Sequence, residues 1–232
     1  MSMIVSHKYR FIFLKTKKTA GTSIEIALTK LCGEDDIVTP LTEVDEAARA
    51  GGMGARNWER HGWWQSQRPF LKRRMFRRMA QDHGFYNNMT AAAAKDLLND
   101  GQVWGNYFKF AFDRNPWDRQ VSYYHHCHRE QSERPSFERF VESDRRARRN
   151  NFGIYSINGE VAVDFVGRYE TFAQDLKHAL SQVHIRDDLE LPRAKDTYRK
   201  DPTPYREYYA PETQRRVGEW YEREISLRDY EF

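Results

Sequence analysis

The sequence predicts an α/β fold in which a central parallel β-sheet lies between two layers of helices. Runs of β-branched and aromatic residues, bounded by turn or charged residues, are typical of strands. They occur at 9–15, 107–112 and 161–169. Segments with helical periodicity are interspersed with these strands, at about 22–31, 90–99, 116–128, 136–143, 171–182 and 211–224. Strands that alternate with helices favour parallel pairing with helices on both faces of the sheet.

Length and composition indicate one folded domain that covers residues 1–232, with an insertion at about 40–90. Charged residues make up 31% of the chain and the mean hydropathy is −0.90. The chain nevertheless contains 14 Phe, 13 Tyr and 6 Trp, which supply apolar area for a core. The net charge of +4 favours anionic partners but is too small to indicate nucleic-acid binding.

Cysteine content and hydropathy predict a cytoplasmic protein. Cys32 and Cys127 form no metal-type pair, and a reducing compartment is the simpler expectation. No apolar run approaches the roughly 18 residues that a membrane span needs, and the N-terminal segment lacks the apolar stretch of a signal peptide. We expect no membrane partner and no metal site.

A lysine-rich segment, the first loop (residues 15–20), joins the first predicted strand to the first predicted helix. Unpaired N–H groups and the positive end of the helix dipole favour an anion at such a helix start. Gly21 permits close approach of the backbone to a ligand, and Thr22 and Ser23 add hydroxyl donors. The pattern indicates a phosphate-binding loop, although a lysine-rich turn before a capped helix has the same sequence appearance.

The residue order in the first loop argues against a nucleotide kinase. A Walker A loop reads GxxxxGK[ST], with the lysine after the glycines. Here Lys18 precedes Gly21, which is the single glycine in residues 15–23. A P-loop-type kinase is therefore disfavoured, and we keep it as the alternative enzyme. A nucleic-acid-binding module is the alternative from another class, but no recognition helix or stacking sheet is evident.

A second strand end runs into a helix at "YFKFAFDRNPWDRQVSYY", residues 107–124. Residues 113–115, the second loop, make the turn, and Asn115 is a suitable N-cap for the helix that follows. Arg114 and Ser122 are positioned to converge on a second phosphate, because the arginine fork binds phosphate oxygens in pairs. Taken alone, the charged residues here are equally compatible with a surface ion-pair network.

Together, "KTKKTAGTSIE" and "RNPWDRQVS" resemble the paired signatures of sulfotransferases that use 3′-phosphoadenosine-5′-phosphosulfate (PAPS). The second resembles the carbohydrate sulfotransferases that act on heparan, chondroitin and dermatan. The segments 163–176 and 208–232 are similar to further parts of that family. The resemblance implies a three-layer, P-loop-like fold and transfer of a sulfuryl group from PAPS to a hydroxyl or amine.

The resemblance also implies roles for individual residues. The 5′-phosphosulfate end of PAPS would lie on Lys18, Thr19, Ala20, Gly21, Thr22 and Ser23. Arg114 and Ser122 would bind the 3′-phosphate, and Arg199 lies in a segment that relatives fold over the nucleotide. Lys18 would neutralise the leaving 5′-phosphate as PAP forms, and no metal is required.

The sequence departs from the family pattern at the expected general base. Many relatives carry a histidine in a segment like "FYNNMTA", where this chain has Asn88. An amide cannot accept the proton of an acceptor hydroxyl, so we consider His83 as the tentative base and His61 as its alternative. A single histidine is more often a structural or solvent-exposed residue than a catalytic one.

The acceptor is predicted to be a glycan or another anionic molecule that carries a hydroxyl. Basic residues cluster at 72–78 and 145–149 and would form a positive rim, although such runs are also typical of solvated faces. We place the insertion at about 40–90 on the acceptor side.

Overall fold

The protein is described by a computed structural model, which covers residues 3–49, 51–59, 84–86, 88–98, 101–143, 147–186, 189 and 202–232. Its strands are β1 (Met3–Ser6), β2 (Phe11–Leu14), β3 (Ile37–Val38), β4 (Phe108–Asp113), β5 (Ser156–Ile157), β6 (Glu160–Val161) and β7 (Phe165–Arg168). Its helices are α1 (Gly21–Thr29), α2 (Glu43–Ala47), α3 (Ala91–Leu98), α4 (Gln102–Asn106), α5 (Pro116–Cys127), α6 (Phe137–Ser143), α7 (Phe152–Tyr155), α8 (Phe172–Ser181), α9 (Pro211–Trp220) and α10 (Glu222–Arg228), with a 3₁₀ helix at Tyr205–Tyr208.

The main sheet is mixed, with the strand order β3-β1-β2-β4-β7. Strands β2, β4 and β7 pair in parallel, as predicted, with Phe13 opposite Phe110 and Phe110 opposite Phe165. Strands β1 and β3 extend the sheet in antiparallel fashion. The predicted central parallel sheet therefore holds for β2, β4 and β7, while β1 and β3 make the whole sheet mixed.

Helices cover both faces of this sheet, which confirms the layered α/β arrangement. Side chains along β2 alternate between the faces. Phe11 and Phe13 pack with α1 and α8 on one face, whereas Ile12 and Leu14 pack with α3, α4 and α7 on the other. Because β2 and β4 are parallel, their carboxyl ends lie on the same side of the molecule, where the two loops begin.

A third apolar cluster joins α5 and α6 to the C-terminal helices. The predicted single helix at 211–224 was wrong, since the chain breaks at Tyr221 between α9 and α10. The Tyr221 hydroxyl lies in the interior, where it donates to the carbonyl oxygen of Ala147 at 2.8 Å. Tyr221 and Glu224 both contact Arg119.

Within the described ranges, no helix combines the length and apolar character that crossing a bilayer requires. Most of the predicted insertion, including the basic run at 72–78, lies outside the described residues.

Candidate functional site

The first loop leads directly from β2 into α1, as the sequence predicts. Lys18 and Ala20 adopt left-handed backbone conformations, with φ of 62° and 55°. Helix α1 begins at Gly21, and its N-cap residue Ala20 makes no side-chain hydrogen bond to the first amides. Alanine has no polar side chain, so the first N–H groups of α1 receive no cap from Ala20. A helix start without a side-chain cap favours an anion.

Gly21 is required by a neighbouring side chain, that of Lys15. A β-carbon at Gly21 would lie 2.7 Å from Cγ of Lys15. The Lys15 side chain passes beneath the helix start, and its ammonium group donates to Oγ1 of Thr22 at 2.9 Å. The sequence suggested close approach of a ligand as the reason for this glycine. The structure gives a second reason, because the Lys15 side chain occupies the space that a β-carbon would need.

A buried ion network supports the first loop from below. The carboxylate of Glu25, in α1, is fully buried and accepts from Lys15 Nζ at 3.1 Å and from the guanidinium of Arg49. Arg49 also donates to the carbonyl oxygen of Thr39 at 3.1 Å. Burial raises the pKa of Glu25 above its ordinary value, while Lys15 and Arg49 oppose this shift. The network ties the loop to the helix and to the segment after β3.

The second loop forms the predicted helix start after β4. Oδ1 of Asn115 accepts from the amide of Trp117 at 3.1 Å, which confirms Asn115 as the N-cap of α5. Arg114 is nine-tenths buried, and its guanidinium contacts Asp118 through Nε at 2.8 Å and Nη2 at 2.7 Å. It also stacks over the ring of Tyr169, with 4.1 Å to the centroid. These contacts fix the direction of the guanidinium.

Behind the second loop lies an ion network that the sequence did not predict. Nη1 of Arg119 donates to Asp113 at 2.7 Å, and Nη2 donates to Glu224 of α10 at 3.1 Å. Although burial opposes its charge, Asp113 and Glu224 together raise the pKa of Arg119. The hydroxyl of Tyr155 donates to Oδ2 of Asp113 at 2.7 Å. Three separate parts of the chain, in α5, α7 and α10, thus support the end of β4.

The structure brings the two loops into direct contact. Nη1 of Arg114 donates to the main-chain carbonyl oxygen of Lys18 at 3.3 Å. The hydroxyl of Thr16 donates to the carbonyl oxygen of Phe112 at the end of β4. Because β2 and β4 are parallel neighbours, their carboxyl ends meet at one sheet edge, where ligands of α/β proteins bind.

The predicted site residues in the described ranges lie at or near this edge. Thr19, Thr22 and Ser23 are buried, and Lys18 is half-buried. Ser122 is half-buried on α5, one helical turn after Asp118. His61, His83 and Arg199 lie outside the described residues. Within those residues, no group of His, Cys, Asp or Glu is arranged to hold a metal ion.

Comparisons with known proteins identify the family of this chain. An uncharacterized protein of Archaeoglobus fulgidus is 32% identical over 106 residues, which cover 43% of this chain and 88% of the archaeal protein. No solved structure matches the chain significantly. The family model described as "Sulfotransferase family" matches residues 1–231, almost the full length. The chain therefore belongs to the sulfotransferase family.

Proposed function

We propose that this sulfotransferase uses PAPS as its donor substrate and transfers the sulfuryl group to a hydroxyl or amine, with release of PAP. The observation that carries the proposal is the direct contact between the two loops through Arg114 and Lys18. Each loop lies where a parallel strand runs into a helix start. PAP has two phosphates on one nucleoside, so it needs two such anion sites at a fixed separation.

The first loop has the donors that the 5′-phosphosulfate would need. The amides at the start of α1 supply partial positive charge, and Lys18 supplies a full one. Thr19, Ala20, Gly21, Thr22 and Ser23 belong to the proposed contact set. Lys15 and Glu25 stabilise this region from below, since Lys15 contacts both Thr22 and Glu25.

The second loop has capacity for the 3′-phosphate. A guanidinium carries five N–H donors, and the contacts of Arg114 to Asp118 and Lys18 use three of them. We propose that the remaining donors of this guanidinium bind the 3′-phosphate, to which Ser122 would add a hydroxyl. Arg199 is proposed as a further contact from the segment that relatives fold over the nucleotide.

Sulfuryl transfer would proceed in line. A bond forms between the acceptor oxygen and sulfur while the bond from sulfur to the 5′-phosphate oxygen breaks. Negative charge grows on the departing phosphate, and Lys18 stabilises it. By analogy with phosphoryl transfer, positioning and charge stabilisation account for most of the catalysis. No metal ion takes part in this proposal.

The acceptor proton requires a base, for which we retain His83 and, as its alternative, His61. Asn88 donates its side-chain amide to the carbonyl oxygen of Lys15 at 2.9 Å and so supports the first loop. Replacement of the true base is expected to lower kcat by about a hundredfold and to leave PAP binding unchanged. His83→Ala and His61→Ala, compared in parallel, assign the role; unchanged turnover in both would exclude these two histidines.

We propose a carbohydrate or other anionic acceptor, bound on the side of the predicted insertion. A cytoplasmic location belongs to the same proposal and agrees with the state of both cysteines, which are free thiols. Binding of a sulfated or uronate-rich glycan should weaken strongly with salt if a positive rim contributes. Salt-independent binding would contradict that rim.

The proposed donor is tested by calorimetric titration with PAP, with ATP and Mg²⁺, and with duplex DNA in parallel. We expect tight binding of PAP alone and transfer of labelled sulfate from PAPS to a member of an acceptor panel. Binding of ATP and Mg²⁺ without PAP would favour the P-loop-type kinase. Binding of DNA without PAP would favour the nucleic-acid-binding module, and either result would refute the proposal.

A further inference from the structure

Asn151 connects the two loops from a part of the chain that neither sequence motif includes. It is fully buried and is the N-cap residue of α7. Oδ1 of Asn151 accepts from the amide of Lys17 at 2.9 Å, and Nδ2 donates to the carbonyl oxygen of Lys17 at 3.0 Å. Nδ2 also donates to Oδ1 of Asp113 at 3.1 Å. One carboxamide thus binds the first loop and the end of β4.

The chemistry of these contacts fits asparagine closely. The Lys17 backbone requires one acceptor and one donor, and Asp113 requires a second donor. A carboxamide supplies this combination, whereas a carboxylate at the same place would set oxygen against the oxygens of Lys17 and Asp113. The main-chain amide of Asn151 is itself held, since it donates to Oε1 of Glu224 at 3.1 Å. The side chain is therefore fixed at both ends.

These contacts define the backbone of Lys18. The carbonyl oxygen of Lys17 belongs to the peptide group before Lys18, and Asn151 fixes its direction. The carbonyl oxygen of Lys18 belongs to the peptide group after it, and Arg114 fixes that one. Lys18 has a φ of 62°, a left-handed conformation that few residues other than glycine adopt without support. Fixing both flanking peptide planes provides that support.

We infer that Asn151 is a positioning residue for sulfuryl transfer: it holds the peptide before Lys18 so that the Lys18 side chain meets the 5′-phosphate of the bound nucleotide. The inference rests on the proposed function, in which Lys18 binds that phosphate. Asn151 acts through the backbone of the first loop and does not itself contact the nucleotide. The 3′-phosphate site keeps its own residues, Arg114 and Ser122.

The test compares two nucleotides that differ only at the 5′ position. PAP carries 3′- and 5′-phosphates, whereas adenosine 3′-monophosphate lacks the 5′-phosphate. Their affinity ratio, measured by calorimetry for each full-length variant, reports the contribution of the first loop. Lys18→Ala defines the ratio without the lysine. Tyr155→Phe is the matched control, because it removes another buried hydrogen bond to Asp113 and leaves Lys17 untouched.

We expect Asn151→Ala to lower the ratio about tenfold, towards that of Lys18→Ala, with little change in affinity for adenosine 3′-monophosphate. Tyr155→Phe should lose thermal stability but keep the wild-type ratio. Asn151→Ser introduces no charge beside Asp113 and leaves a smaller cavity than alanine, and should show the same loss if Asn151→Ala does not fold.

Two results would overturn the inference and are distinguishable. A wild-type ratio in folded Asn151→Ala or Asn151→Ser, or equal losses in these variants and in Tyr155→Phe, reduces Asn151 to a stabilising role. Failure of the wild-type protein to bind PAP refutes the proposed function itself, and the inference with it.

Discussion

Asn88 donates its side-chain amide to the main-chain carbonyl oxygen of Lys15, with 2.9 Å between Nδ2 and O. Lys15 is the first residue after β2, where the first loop begins. Asn88 has a φ of 50°, and asparagine is among the few residues that adopt this conformation readily. Asn88, at the position where the resemblance predicts a histidine, is therefore part of the support of the first loop.

Substitution of Asn88 should separate its hydrogen bond from its backbone conformation. Asn88→Ala removes the bond and places a less tolerant residue at positive φ, so we expect a loss of about 1–3 kcal/mol in the free energy of unfolding. Asn88→Gly loses the same bond without the conformational cost and should be the more stable of the two variants. Urea unfolding measures both. Wild-type stability in both variants would contradict a supporting role.

Local sequence patterns predicted those parts of the fold that depend on local periodicity. The runs around Phe13 and Phe110 form neighbouring parallel strands because their alternation fills both faces of the sheet. The short strands β1 and β3 were not predicted. Their pairing depends on distant contacts such as the one from the amide of His7 to Oδ1 of Asp36, at 2.6 Å. No local pattern specifies a bond across 29 residues.

The candidate site shows the same division between local and distant information. Lys18 and Arg114 lie in recognisable strand–loop–helix segments, and the structure brings them together. Asn151 lies in a segment without a motif, and Glu224, in the C-terminal segment that resembles the family, meets Arg119 across 105 residues of sequence. A signal did exist at Asp113, because a carboxylate at the end of a buried strand needs partners inside the protein.

Gly21→Ala should destabilise the protein through Lys15. The new methyl group would lie 2.7 Å from Cγ of Lys15, whose ammonium group is held by Thr22 and Glu25. We expect a loss of about 1–3 kcal/mol in the free energy of unfolding, measured by urea denaturation. Gly105→Ala is the matched control, because no atom lies within 4 Å of its added methyl group.

The control should gain about 0.5–1 kcal/mol, since Gly105 lies within helix α4 and alanine favours helix there. Equal stability of Gly21→Ala and the wild-type protein would show that Lys15 can leave its path at no cost.

Cys32 should make the protein less stable at alkaline pH. Burial, aided by Asp36, raises the pKa of the Cys32 thiol from 9.0 to about 12. Between these values the unfolded chain loses the proton that the folded chain keeps. The unfolded state then binds fewer protons, so the free energy of unfolding falls as pH rises through this interval. Below about pH 9 this contribution is fully present.

The measurement is urea unfolding of the wild-type protein and of Cys32→Ala at pH 8 and pH 10, in the presence of a reductant. Other groups titrate in this interval, so the difference between the two pH slopes isolates the thiol. We expect the steeper decline in the wild-type protein. Identical slopes would mean that the buried thiol titrates as it does in the unfolded chain.

Lys18→Ala should reduce turnover far more than stability or nucleotide binding. The charge on the 5′-phosphate grows as sulfur departs, so a lysine at that oxygen contributes more in the transition state than in the ground state. We expect kcat for sulfuryl transfer to fall about 10²- to 10³-fold, with a smaller loss of affinity for PAPS, in which the charge on the leaving oxygen has not yet developed. Lys30→Ala is the control, because this exposed lysine follows the last turn of α1 and its removal changes the net charge equally. That variant should retain wild-type turnover. Wild-type kcat in Lys18→Ala would remove Lys18 from the mechanism, and an equal fall in both variants would reduce its effect to general electrostatics.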